Sequence, residues 1–294
     1  MTSRALLPLL VGALAFAASR AVSGELTEET PQVRAPADVA LDVAALPDLL
    51  QTDARLGLPD GGRMFCAPVA AADALLFLAR NGFGRLAPEA PEPALAAADV
   101  VRRLGSSHYM NTSLAEGTGT AGFLRGLSRY LADRGYAVQR FEYAGWRAHP
   151  KEYTSGRSRP DLAALAGTLR RPAAAAWWNV GWYQREVDAE SGLPRFRRTG
   201  GHWVLVAGRE SEEDGGTWLV RDPSPRSGRR PRVERVRIEV LETGELVGAY
   251  TGLPQVARGV PQVLSGLVLP KSADTALVDG VVVLQLELPP PRVR

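Results

Sequence analysis

Near residue 135 the hydrophobic period of the chain changes, and this change limits the fold more than any other feature. Before it, apolar residues recur at helical spacing; after it they alternate or run on without a break, as strands do. Cys66 to about Arg80 places Leu75, Leu78 and Ala79 on one helical face, with Pro68 suited to a first turn and Gly82 to a stop after Asn81. Ala94 to Leu104 reads as a second helix stopped by Gly105. Ala121 to Arg134 reads as a third, with Thr120 as N-cap, Phe123, Leu124, Leu127 and Leu131 on its apolar face, and Gly135 closing it. Beyond the change, Ala137–Tyr143, Ala173–Val180, Gly201–Ala207, Thr217–Pro223 and Val233–Val240 read as strands, with one more helix at Asp161–Arg171. Residues 184–200 are charged and glycine-bearing and read as a surface loop or hairpin tip. Helices first and antiparallel-looking strands later indicate an α+β domain, N-terminal helices packed on an antiparallel sheet, and not alternating βαβ units.

The ends of the chain read differently. Residues 1–24 have the pattern of a secretory signal peptide: Arg4, an uncharged apolar run from Ala5 to Ala18, then small residues at Ala15-Phe16-Ala17 and Ala21-Val22-Ser23. That run is shorter than the ~20 residues a membrane span needs, so a secreted or periplasmic protein is expected, with no span after signal removal. Residues 25–45 are polar and proline-bearing and read as a linker, residues 46–250 as the main domain, and 251–294 as a β-rich C-terminal extension with strand-like pieces at Gln262–Leu269 and Val281–Leu288. A net charge of +3 on 294 residues, carried by arginine with only Lys151 and Lys271 as lysines, does not call for a nucleic-acid partner.

Cys66 is the sole cysteine, so no internal disulfide is available to it. An unpaired thiol on an exported chain is an oxidation liability, which suggests a use or deep burial. At the mouth of a helix, unsatisfied N–H groups and the dipole favour its thiolate. A base is then needed. His149 precedes a proline in a polar loop, His108 lies in a Ser/Gly-rich loop, and His202 opens an apolar strand after Gly200-Gly201. Asp222 ends the next strand, so a hairpin brings it to the same end of the sheet as His202. Thiolate, imidazole and an acceptor that fixes the tautomer are the parts thiol catalysis requires.

Cys66-Ala67-Pro68 opening a helix, Gly201-His202-Trp203-Val204-Leu205-Val206 downstream and Asp222-Pro223 after the following strand together resemble the papain-like cysteine peptidase superfamily. The nearest type is the bacterial double-glycine leader peptidase, which typically reads Cys-Gly-Pro at the nucleophile. The resemblance covers roughly residues 46–240. It implies a papain-like cysteine peptidase fold, Cys66 as nucleophile, His202 as general base and acid, Asp222 as orienting residue, a peptide or protein substrate, and neither metal nor organic cofactor. That family usually places an oxyanion-donating glutamine a few residues before the cysteine. Here the sixth position upstream is Asp60 and the nearest upstream glutamine is Gln51, which reaches the site if Asp60-Gly61-Gly62 loops out. Two other functions stay open: an exported binding protein without turnover, and a thiol acyltransferase.

Other signals have simpler accounts. Gly117-Thr118-Gly119-Thr120-Ala121-Gly122 fits G-x-G-x-x-G, but no apolar strand precedes it, so a tight loop into a helix is the better reading. The arginines at 195, 197 and 198 and from Arg226 to Arg237 read as solvated loops and strand faces. Trp177, Trp178, Trp182, Tyr183 and Trp203 read as core, with a share in lining a groove or shielding the His–Asp pair. Glu210, Glu212, Glu213 and Asp214 fit no cation-ligand spacing.

Overall fold

A computed structural model describes residues 42–210, 216–225, 233–247 and 262–288. The expected signal peptide and most of the expected linker lie outside these residues. The described chain is α+β. Its helices are α1 (Cys66–Arg80), α2 (Pro93–Gly105), α3 (Thr120–Asp133) and α4 (Leu162–Leu169). Its strands are β1 (Val138–Gly145), β2 (Ala174–Val187), β3 (Pro194–Arg209), β4 (Thr217–Arg221), β5 (Glu234–Val240), β6 (Glu245–Val247), β7 (Gln262–Ser265) and β8 (Thr275–Leu286). They form one sheet in the order β1-β8-β2-β3-β4-β5-β7, antiparallel throughout, with β6 added parallel to β3. β7 also pairs with β8, so β8, β2, β3, β4, β5 and β7 close into a ring.

The apolar strands run without polar alternation because both of their faces are covered. Side chains alternate between the faces. Ala175, Trp177, Trp203, Leu205 and Ala207 join the core beneath α1, α2 and α3, whereas Ala176, Trp178, Val204 and Val206 join a second core with Leu165 of α4. α1 is buried almost all round, from Ala67 to Leu78. Its alanines let it sit close to the sheet, where the Trp177 indole N–H donates to the Ala70 carbonyl at 2.9 Å. Asn81 caps its end, donating to Phe77 O at 2.8 Å, and Gly82 turns the chain away at φ 99°.

Three expectations need correction. Residues 184–200 do hold a hairpin tip, at 188–193, but the flanking residues are strand and not loop: β2 and β3 remain paired from Gln184↔Arg197 to Val187↔Pro194. Cross-strand charges replace the apolar signal there, with Arg195 bound to Asp188 at 2.7 Å and to Glu245 of β6 at 2.9 Å. Thr120 is the first residue of α3, and Gly119 is its N-cap. The stretch expected as a separate extension from 251 is, from 262 onward, part of the same sheet. β8 is buried along its whole length between β1 and β2. A continuous apolar strand declares that it is buried but not beside which neighbours.

Candidate functional site

Cys66 is the first residue of α1 and is partly exposed. Phe65, buried and without a capping side chain, leads into it. Since Pro68 has no N–H, the first turn offers the donors of Cys66 and Ala67. Burial works against a Cys66 thiolate. A hydrogen bond and the charge of His202, then the N–H groups of Trp203 and Ala67, outweigh it and hold the thiol below its ordinary pKa.

His202 lies at the open end of the apolar part of β3, opposite Val180 of β2. Its Nε2 donates to Asp222 Oδ1 at 2.6 Å, and both side chains are buried. That bond fixes the tautomer and leaves Nδ1 as the nitrogen for Cys66. Burial pushes His202 down, but the Asp222 charge and hydrogen bond, followed by Cys66, raise it to about 9. Both shifts favour the thiolate–imidazolium pair over the neutral pair. Asp222 Oδ1 also accepts the Ser224 N–H at 2.8 Å, which anchors the carboxylate from the far side. Trp182 lies nearly parallel to the His202 ring, with centroids 5.7 Å apart and planes 20° apart. Trp182 also lines the cleft, one of the roles the tryptophan cluster suggested. Trp203 instead stacks on Phe123 at 4.1 Å and packs in the core.

Gln51 does reach the site. Its backbone N–H donates to Pro223 O at 2.8 Å, and its Nε2 donates to Arg63 O at 2.6 Å. It thus bridges the residue after Asp222 and the turn before Cys66. The detour that permits this is Asp60-Gly61-Gly62, three successive residues at φ 50°, 59° and 76°. A Cβ at Gly62 would collide with the Gln51 carbonyl, so glycine is required there for both its φ and its closeness. A second seam runs behind the site. Arg221, next to Asp222, donates to Val43 O at 2.7 Å and Leu46 O at 3.1 Å, while buried Asp73 of α1 accepts the Leu49 N–H at 3.1 Å. Burial, with Asp48 nearby, holds Asp73 well above the usual carboxylate range despite that N–H and Arg221.

Gln51, Cys66 and His202 line one cleft of about 670 Å³. The glycine-rich loop forms another wall, with Gly117, Thr118, Gly119 and Thr120 facing in. Its role is to shape this cleft: Gly117 takes φ 73° and closes a backbone bridge to Ser113. A wider groove of about 1350 Å³ beside the C-terminal end of α1 contains neither Cys66 nor His202. The other histidines stay apart: His108 pairs with Asp133 at 3.3 Å on the surface, and His149 Nδ1 donates to Arg147 O at 2.9 Å. Among the described residues no three His, Cys, Asp or Glu side chains gather as a metal-binding group, and no helix is long and apolar enough to cross a membrane. Sequence reasoning missed Asn179 and Arg147, which also line the cleft, and it read Arg198 as solvated, whereas that side chain is buried and lines the same cleft. The glycines at 181 and 201 were the signal for Arg198, since each interrupts an apolar strand where another group approaches closely. No protein-family model, curated protein or solved structure matches the chain.

Proposed function

We propose that this chain is an exported cysteine peptidase of papain-like fold, hydrolysing an amide bond in a peptide or protein. The observation that carries the proposal is the meeting of three side chains: Asp222 holds His202 Nε2 at 2.6 Å, and His202 lines one cleft with Cys66 at the start of α1. The Cys66 thiolate attacks the carbonyl carbon, a C–S bond forms and the carbonyl electrons move to oxygen. The Cys66 N–H and the Gln51 amide are the donors available for that oxyanion. His202 gives its Nδ1 proton to the nitrogen as the C–N bond breaks, and the amine leaves. Water then attacks the thioester while His202 takes its proton. The C–S bond breaks, and acid and thiolate are released. The position of Gln51, lining the cleft with Cys66 and His202, supports turnover over the non-catalytic binding reading. For acyl transfer the same chemistry holds with an amine in place of water, and product analysis with added amine separates the two.

The test is alkylation of Cys66 by iodoacetamide across pH. An enzyme gives a rate at neutral pH well above that of free cysteine, and His202→Ala slows it at least about tenfold. A rate equal to that of free cysteine, unchanged in His202→Ala, overturns the proposal.

A further inference from the structure

The cleft contains more positive charge than its relay uses. Arg63, Arg147 and Arg198 line it against a single acid, Glu116. Arg63 is engaged on the surface by Asp60 at 2.7 Å. The other two arginines are not surface residues in the usual sense. The side chain of Arg198 is 8% exposed, and its Nε binds Asp279 Oδ2 at 2.8 Å. Asp279 is wholly buried, and its other oxygen accepts the Tyr183 hydroxyl at 2.6 Å. Arg147 Nη1 is buried and has no hydrogen-bond partner among the described residues. Arg147 and Arg198 line the same cleft, and burial and the charge of Arg198 both oppose the Arg147 cation. Asp279 is thus committed to Arg198, while partly buried Arg147 keeps one buried nitrogen without a partner among the described residues. An unsatisfied buried donor is costly, and an incoming acceptor removes that cost.

The place of this surplus is informative. Arg198 Nη2 lies against Gly201, the residue before His202, and a Cβ at Gly201 would strike it. A Cβ at Gly181, the cross-strand partner of Gly201, would meet the Asp279 carboxylate. The glycine pair therefore opens room for an ion pair one register step from His202. Asn179, whose Oδ1 is buried and without a partner among the described residues, lines the same cleft.

We propose that Arg147 and Arg198 form an anion subsite that binds a carboxylate of the substrate beside the bond Cys66 attacks. This rests on the peptidase reading and narrows its substrate to peptides with a carboxylate, from an acidic side chain or a free C-terminus, next to the scissile amide. Asp279 and Tyr183 hold Arg198 in position, and Arg147 supplies the open N–H. Guanidinium groups suit this task because their donors match a carboxylate fork.

The test compares iodoacetate with iodoacetamide as alkylating agents of Cys66. In both, the thiolate displaces iodide as the C–S bond forms; only iodoacetate carries a carboxylate beside the reacting carbon. With N-acetylcysteinamide as the reference thiol, the iodoacetate-to-iodoacetamide rate ratio is expected to be at least about tenfold higher for Cys66, and to fall about fivefold or more in Arg147→Gln. The wild-type protein supplies an independent measurement: protection of Cys66 from iodoacetamide by N-acetyl-trialanine, its C-terminal amide, and N-acetyl-Ala-Glu-Ala amide. Protection by the free acid alone assigns the terminal carboxylate; protection by the Glu amide assigns the side chain. A ratio equal to the reference, a ratio unaffected by Arg147→Gln, or equal protection by charged and neutral peptides overturns the subsite while leaving the peptidase reading intact. If Cys66 reacts with iodoacetamide no faster than the reference thiol, the peptidase reading fails first.

Discussion

Replacing Asp222 by Asn separates charge from geometry within the relay. An Asn oxygen can still accept the His202 Nε2–H and the Ser224 N–H that now meet Asp222 Oδ1 at 2.6 and 2.8 Å. Only the negative charge is removed. His202 titrates at about 9 in the folded protein against an ordinary 6.5. That interval corresponds to about 3 kcal/mol favouring the imidazolium. Burial opposes the cation, and Asp222 contributes more than Cys66 to overcoming it, so most of the interval belongs to the carboxylate. At pH 8 the wild-type ring is roughly nine-tenths protonated; with the whole interval lost it is about 3% protonated, a roughly thirtyfold fall. The assay is an NMR titration of isotopically labelled imidazoles, readily assigned because the chain has three histidines. Wild-type His202 is expected to titrate near 9, and the Asp222→Asn ring more than one pH unit lower. Peptide hydrolysis, which needs the imidazolium as acid, then loses its alkaline range in the variant. A ring that still titrates near 9 without the carboxylate refutes the electrostatic account of the relay.

Other consequences follow from the same geometry. Gln51→Ala removes an oxyanion donor and is expected to lower kcat by about 10²–10³ with little change in KM; peptide turnover measures it. Gly62→Ala displaces Gln51 through its backbone and is expected to lower kcat in the same direction, although its side chain lies outside the chemistry. The raised pKa of His202 stabilises the fold fully below about 6.5, the unfolded value, and this stabilisation disappears as pH rises through about 9. Melting temperature should therefore decline over that window in the wild type and less in His202→Gln. Asp279→Ala leaves Arg198 buried without its counterion and should cost about 3–5 kcal/mol in urea unfolding, with no loss if the pair is dispensable.

What the sequence discloses about this site depends on range. Cys66 was legible because Pro68 and the apolar period that follows locate a helix start within a few residues. His202 and Asp222 were legible because one hairpin joins them, and the β3–β4 register, with Leu205 opposite Arg221, brings them together. Gln51 was legible only conditionally: its approach depends on three consecutive left-handed residues, and the Asp at 60 does not announce that conformation as a glycine does. The Arg198–Asp279 pair was not legible at all. It joins residues 81 positions apart, on strands that do not pair with each other.

The C-terminal strands connect these observations. Because β7 pairs with both β5 and β8, the sheet closes on itself, and the connection between them places Pro270 and Ser272 in the cleft wall. β8 then passes beside β2, where Asp279 can hold Arg198 from beneath Gly181 and Gly201. The helices supply the proposed nucleophile and the β3–β4 hairpin its proposed base and orienting carboxylate, but β8 supplies the counterion for the proposed anion subsite. The proposed nucleophile and the counterion of the proposed subsite thus come from opposite ends of the described chain. The closed sheet keeps them within one cleft, so changes near Asp279 should alter which carboxylate-bearing peptide is chosen before they alter the reactivity of Cys66.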